Sequence, residues 1–131
     1  MTLYELREKY YFHDSNIEKV DFDADKKILT LEIEFCFWWQ PWHEKNEPSN
    51  GLIRLTFEEV SLFEYDDDIA DRIFSDELDS EILKGELDEE GNLVFFSVET
   101  PDFSDDDEDI YWQLKINAAN VEVEELERYN L

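Results

Sequence analysis

Cysteine, glycine and proline are all scarce in this chain of 131 residues, which contains one cysteine, three glycines and three prolines. The single cysteine, Cys36, excludes an internal disulfide and any metal site built from several thiolates. No apolar run is long enough to cross a bilayer, and the first residues lack the apolar core of a signal peptide. The sequence therefore predicts a protein of the cytoplasm.

Basic residues are also few, since 11 of them stand against 37 acidic residues and leave a formal net charge of −26. Such a charge argues against nucleic acid and against anionic membranes as partners, because both are themselves polyanions. A basic protein or a cation is the partner that it favours. Self-repulsion also destabilises the compact state, so we expect stability to rise with added salt or moderate acidification. Solubility alone would equally explain the acidity.

The longest apolar alternating segment runs from Lys27 to Trp42, and the rest of the predicted fold is arranged around it. Alternate side chains of an extended chain point to one face, so the segment predicts a central strand with one buried face. Burial of that face is worth about 9–18 kcal/mol as an upper bound. The inward set consists of Leu29, Leu31, Ile33, Phe35, Phe37 and Trp39.

Shorter alternating segments and turn signals predict the remaining elements. Thr2 and Glu5 have the spacing of a capping box, which predicts a helix over about residues 3–10. Residues 64–79 have helical spacing behind an acidic turn, and the tail after residue 117 fits either a strand or a short helix. We expect further strands over 17–23, 52–58, 80–88, 93–100 and 110–117, with Val94, Phe96 and Val98 facing the core.

The predicted fold is mainly β, with α+β at the margin. It is a single domain over residues 1–131, in which an antiparallel sheet of six to seven strands folds as a sandwich or a partly open barrel beside a short amino-terminal helix. Short links between sequential strands favour this antiparallel arrangement.

Two features are candidates for binding a partner. Tryptophan buries a large rigid surface at small entropic cost, and Trp38, Trp39 and Trp42 form the densest aromatic cluster. We expect Trp39 to lie in the core and the other two to be exposed. The acidic runs of residues 66–68 and 105–109 would complement a basic protein if they lie beside this cluster. The predicted binding residues are Trp38, Trp42, His43, Asp66, Asp67, Asp68, Asp105, Asp106, Asp107 and Asp109.

The sequence contains no motif for catalysis and predicts no cofactor or metal site. The two histidines, His13 and His43, have no spacing typical of metal ligands. His13 and Asp14 could form an acid–base pair, but neighbours in an extended chain point to opposite faces, so we expect them not to act together. Carboxylates from distant strands could still form a pocket, which leaves a small-ligand or divalent-cation-binding protein, including a hydrolase, as an alternative.

The chain contains three short motifs, which are Phe12-His13-Asp14-Ser15-x-Ile17, Leu55-Thr56-Phe57-x-x-Val60 and Trp112-x-Leu114-x-Ile116-x-Ala118. These motifs resemble a pattern found in small acidic bacterial proteins of unknown function, some of which are grouped with the immunity proteins of polymorphic toxin systems. The resemblance implies a β-rich domain that binds and neutralises a partner, and it brings no catalytic residues.

Composition and resemblance together favour an acidic protein-binding module, an immunity-like inhibitor whose carboxylates and exposed tryptophans engage a basic protein such as a toxin or a nucleic-acid-binding protein. The alternative is the ligand- or cation-binding protein with a carboxylate-lined pocket. A third interpretation is a structural domain whose acidity serves solubility alone.

Overall fold

The computed structural model describes residues 1–100 and 109–130, in which one antiparallel sheet of six strands closes into a barrel. Around the barrel the strands follow the order β1-β2-β3-β6-β5-β4. The mainly β prediction is confirmed, and the barrel is closed instead of partly open. The elements are α1 (Leu3–Lys9), β1 (Asn16–Asp23), β2 (Ile28–Cys36), β3 (Asn50–Tyr65), β4 (Ser80–Leu87), β5 (Leu93–Glu99) and β6 (Ile110–Tyr129).

The amino-terminal helix forms as its capping box predicts. The Glu5 amide donates to the Thr2 hydroxyl at 3.1 Å, and the Thr2 amide donates to the Glu5 carboxylate at 3.0 Å. These bonds satisfy amide groups that a helix start otherwise leaves without partners. Leu3 and Leu6 are buried, so α1 joins the barrel core through one face.

Two strands are much longer than the sequence pattern predicts. β3 has 16 residues. β6 has 20, because the tail after residue 117, whose sequence fits either a strand or a helix, continues as strand. The two pair from Asn50 opposite Tyr129 to Tyr65 opposite Leu114. Glu59, with a φ of 52°, lies beside an irregularity of this pairing, where the apolar alternation of β3 is interrupted.

The barrel closes through a short strand pairing. β1 pairs with β4 at two positions only, Asn16 with Glu81 and Ile17 with Ser80. Inside, side chains of all six strands form the core, and its largest fully buried members include Phe35, Phe57 and Trp112. Within the described ranges, no helix has the length and apolar character needed to span a membrane.

The end of the Lys27–Trp42 segment differs from the prediction. β2 ends at Cys36, and a 3-10 turn follows over Phe37–Trp39. Gln40 holds this turn, because its side-chain amide donates to the Cys36 carbonyl at 3.0 Å and its backbone amide donates to the Phe37 carbonyl at 3.0 Å. The turn leaves Phe37 buried but leaves Trp39 42% exposed, so the prediction that Trp39 lies in the core is wrong.

The inward face of β5 is the opposite of the predicted one. Leu93, Phe95, Ser97 and Glu99 are buried on the core side, while Phe96 and Val98 lie half-exposed on the outer surface. Val94 is also buried, although it lies outside the core cluster. The phase of a strand depends on which side chains find partners in the core.

Glu99 is 1% exposed and fully bonded. Its carboxylate accepts hydrogen bonds from Arg72 Nε at 3.0 Å, from the Ser80 hydroxyl at 2.8 Å and from the Asp79 amide at 3.1 Å. Ser80 in turn accepts a bond from Trp112 Nε1 at 3.0 Å. A buried carboxylate is tolerated only with such partners. This network therefore allows β5 to turn Glu99 toward the interior of the barrel.

Candidate functional site

Among the residues that the structure describes, two adjacent tryptophans form the most exposed pair of packed aromatic rings. Trp38 is 50% exposed and Trp39 is 42% exposed, and their rings stack with centroids 4.3 Å apart at 25°. Trp39 Nε1 donates to Asp14 Oδ2 at 3.0 Å, and the Trp38 amide donates to the Ser49 carbonyl at 3.1 Å. The pair is therefore held in place while its outer surface faces solvent.

His13 and Asp14 lie together, contrary to the prediction. His13 Nδ1 is 3.1 Å from Asp14 Oδ1, and the His13 ring meets Trp39 edge-on with centroids 5.6 Å apart. The chain is not extended here, because Asp14 adopts a φ of 64° and its amide donates to the Ile82 carbonyl at 3.1 Å. Aspartate tolerates this left-handed conformation, which brings its carboxylate between the imidazole and the indole.

Exposed apolar side chains continue from the tryptophans across neighbouring strands. Leu83 is the residue that a β-bulge leaves without a partner in β4, and it is 40% exposed. It lines a hollow of about 190 Å³ with His13 and a second hollow of about 170 Å³ with Phe96 and Tyr111. Tyr111 is 67% exposed. We call this surface the aromatic strip, and it consists of His13, Trp38, Trp39, Leu83, Phe96 and Tyr111.

One of the two acidic runs reaches this strip. Asp66 lines the hollow beside Tyr111, and its Oδ2 accepts a hydrogen bond from the Gln113 amide at 2.8 Å. Asp67 and Asp68 follow, exposed, in a 3-10 turn. Asp109 is exposed immediately before β6. Carboxylates thus lie at both ends of the strip, with Asp14 beside the tryptophans and Asp66 at the far end. The predicted residues Asp105, Asp106 and Asp107 lie outside the described residues.

Trp42 and His43 have a different environment. Trp42 is half-buried, its Nε1 donates to the Lys9 carbonyl at 3.0 Å, and its ring packs edge-on against Tyr10 and Phe37. His43 Nε2 lies 3.2 Å from the Glu47 carbonyl. Trp42 thus joins its loop to α1, and the structure does not bring it or His43 into the aromatic strip.

A cluster of carboxylates, separate from the aromatic strip, lies beside the short pairing between β1 and β4. Glu18 is the bulge residue of β1, and burial together with the nearby Glu34 raises its pKa to about 7. Burial, followed by Glu99 and Glu34, raises the pKa of Asp79. Burial and Glu34 also raise the pKa of the Tyr129 phenol to about 12. Within the described part of the chain, no group of three or more His, Cys, Asp or Glu has an arrangement that would hold a metal ion.

Of the six residues of the strip, the sequence predicts only Trp38 as a binding residue and assigns Trp39 and Phe96 to the core. It does not single out Leu83 and Tyr111, because an outward side chain in a strand looks like an inward one until the strand phase is known. A local signal was present in β5, where Ser97 and Glu99 share the alternate positions with Phe95. That pattern is compatible with either face of β5 pointing toward the core.

Comparison of the chain with protein-family models, with curated proteins and with solved structures finds no match in any of the three. The resemblance to immunity proteins therefore stays a prediction. A function can be proposed from the geometry of the aromatic strip.

Proposed function

We propose that this protein is an acidic binding module of the cytoplasm that engages a basic protein through the aromatic strip and neutralises it, in the manner of an immunity protein. The observation that carries the proposal is the strip itself. Its exposed and half-exposed members form one surface across the 3-10 turn, β4, β5 and β6 instead of being scattered singly. Contiguous exposed apolar surface of this kind is typical of interaction sites.

The composition of the strip supports a protein partner. Tryptophan and tyrosine are enriched among the residues that dominate binding energy, and Trp38, Trp39 and Tyr111 are all exposed here. A central apolar surface with charged residues at its edges is also the usual anatomy of a protein interface. Asp14 and Asp66 provide such edges.

The net charge of −26 supports a basic partner. Complementary charge accelerates encounter and rejects like-charged competitors, while the apolar contacts determine how long the complex lasts. We therefore expect binding that weakens as salt is added, through a lower association rate, and that depends on the strip.

The test is capture of a partner by the immobilised protein from the source organism, followed by binding measurements on the purified partner. We expect a basic protein whose affinity falls at least about tenfold between low and moderately high salt. Tyr111→Ala should weaken binding by about tenfold or more, as loss of an interface anchor does. Tyr4→Ala is the matched control, since Tyr4 is 63% exposed on α1, outside the strip, and we expect wild-type affinity from it.

Two results would contradict the proposal. One is recovery of no basic protein, and the other is equal loss of affinity in the two tyrosine variants. The inhibitory part has its own test, because an immunity protein should abolish the activity of its partner and should be encoded beside it. A partner that is bound but keeps full activity would leave a binding module without the neutralising role.

A further inference from the structure

Cationic side chains of this protein already lie over aromatic rings. The Arg128 guanidinium lies 4.4 Å from the centroid of Phe37, and Lys84 Nζ lies 4.7 Å from that of Phe96. Arg128 is also bonded to two carboxylates, Glu125 at 2.8 Å and Glu47 at 2.6 Å. A guanidinium held between a ring face and carboxylates is thus an arrangement that this protein forms from its own residues, outside the aromatic strip.

The stacked rings of Trp38 and Trp39 offer an aromatic face of this kind, but no lysine or arginine of the described residues lies over them. Among the described residues, the three cations that lie over rings are Lys9, Lys84 and Arg128, and none of them lies over Trp38 or Trp39. Residues 101–108 contain neither lysine nor arginine. Indole is the side chain that attracts a cation most strongly. The described chain therefore leaves its best cation-binding face without a partner.

A carboxylate stands beside that face. Asp14 accepts a bond from Trp39 Nε1 at 3.0 Å and lies 3.1 Å from His13 Nδ1. Two carboxylate oxygens offer about four acceptor sites, so two such neighbours leave capacity for further donors. Asp14 is also 40% exposed in its side chain, which keeps it within reach of a group that arrives from solvent.

We propose, on the basis of the protein-binding function above, that the Trp38–Trp39 pair and Asp14 form a receptor for an arginine side chain of the basic partner. The guanidinium stacks on the outer indole face and donates to Asp14. The planar guanidinium stacks on aromatic faces, is weakly hydrated and matches a carboxylate with two parallel donors, and it is favoured over lysine for these reasons. The negative charge of the molecule favours the same occupant over an uncharged apolar side chain.

The test compares three peptides of alternating glycine and a second residue, which is arginine, lysine or the uncharged arginine analogue citrulline. Binding is followed by isothermal titration calorimetry, which does not depend on the tryptophans that the variants remove, at about physiological ionic strength, where weak long-range attraction is screened. We expect the arginine peptide to bind about five- to tenfold more tightly than the lysine peptide, and the citrulline peptide to bind weakest.

Three variants locate the effect. Trp38→Ala/Trp39→Ala should remove the preference for arginine over lysine, while Trp38→Phe/Trp39→Phe should keep part of it. Phe74→Ala is the control, because Phe74 is 52% exposed in a separate aromatic cluster with Phe63 and Tyr65, and it should keep the full preference. Both tryptophans are exposed, so we expect these variants to fold, and unchanged thermal unfolding would verify it.

Equal binding of the arginine and lysine peptides would overturn the proposal, and so would a preference that survives in Trp38→Ala/Trp39→Ala. The purified partner separates this failure from that of the proposed function. If the partner binds the double alanine variant as it binds the wild type, the arginine receptor is wrong and the binding module stands. If no basic partner is recovered but arginine selectivity depends on the tryptophans, the receptor stands and the proposed function fails.

Discussion

At the scale of single residues, the β-bulge in β1 places Glu18 among other carboxylates. Glu18 lies between Ile17 and Lys19, where the pairing with β2 shifts by one residue. Its pKa is raised to about 7, first by burial and then by Glu34. The charged form of Glu18 is therefore less favourable in the folded protein than in the unfolded chain.

This raised pKa predicts the direction in which stability changes with pH. The folded protein keeps the proton of Glu18 up to about pH 7, whereas the unfolded chain loses it near the ordinary value of 4.5. The folded state thus binds more protons between these values, and stability falls as pH rises from about 4.5 to 7. Glu18→Gln should be more stable than wild type at pH 8 by about 1 kcal/mol, a Tm increase of roughly 3–6 °C, after allowance for solvent screening.

The matched control is Glu122→Gln, which removes one charge from an exposed position of β6. It should shift the free energy of unfolding by no more than about 0.5 kcal/mol. Thermal unfolding of both variants from pH 4.5 to 8 makes the comparison. Equal shifts in the two variants would show that net charge is responsible and not the environment of Glu18.

At the scale of elements, Gly51 lies where β3 meets the end of β6, with no room for a side chain between them. A Cβ at this position would overlap the backbone carbonyl of Glu127 and a ring carbon of Phe37. A backbone atom inside a paired strand cannot move aside as a flexible side chain can. Gly51 thus allows the β3–β6 pairing to continue to its end at Asn50 and Tyr129.

Gly51→Ala should therefore lower the free energy of unfolding by about 3 kcal/mol, at the upper end of what overpacking usually costs. Chemical denaturation measures the change. Gly91→Ala is the comparison, because Gly91 has a φ of 80° but has open space where a Cβ would lie. Its cost should be the conformational one alone, about 1 kcal/mol. If Gly51→Ala cost no more than Gly91→Ala, the strands would have to separate readily at this end.

At the scale of the whole molecule, a net charge of −26 on a chain of this size makes self-repulsion a property of the folded state. Salt reduces this repulsion, since the screening length shortens from about 30 Å at 0.01 M to about 10 Å at 0.1 M. The Tm should rise by roughly 5 °C or more as NaCl increases over this range and beyond.

Divalent cations distinguish screening from specific binding. MgCl2 and CaCl2 at the ionic strength of the NaCl series should raise the Tm about as much as NaCl does, because screening depends on ionic strength. A markedly larger shift with one divalent cation would instead support the cation-binding alternative, since a ligand of the folded state stabilises it by mass action.

Much of the fold could be predicted because alternation and turn chemistry are local. The capping box of Thr2 and Glu5 and the buried face of Leu29, Leu31, Ile33 and Phe35 both follow from residues close in sequence. The candidate site could be predicted only in part. Trp38 and Asp66 were identified, but not the strip that joins their surroundings through Leu83.

The strand-rich class, the short capped helix and the negative charge follow from the sequence alone, since each depends on composition or on spacing within a few residues. The phase of β5, the exposure of Trp39 and the contact of His13 with Asp14 are visible only in the folded chain. The phase of β5 and the position of Asp14 involve partners far along the chain. Arg72 satisfies Glu99 from 27 positions away, and Asp14 receives the Trp39 indole from 25 positions away. Strand alternation cannot choose between two faces until such partners are in place.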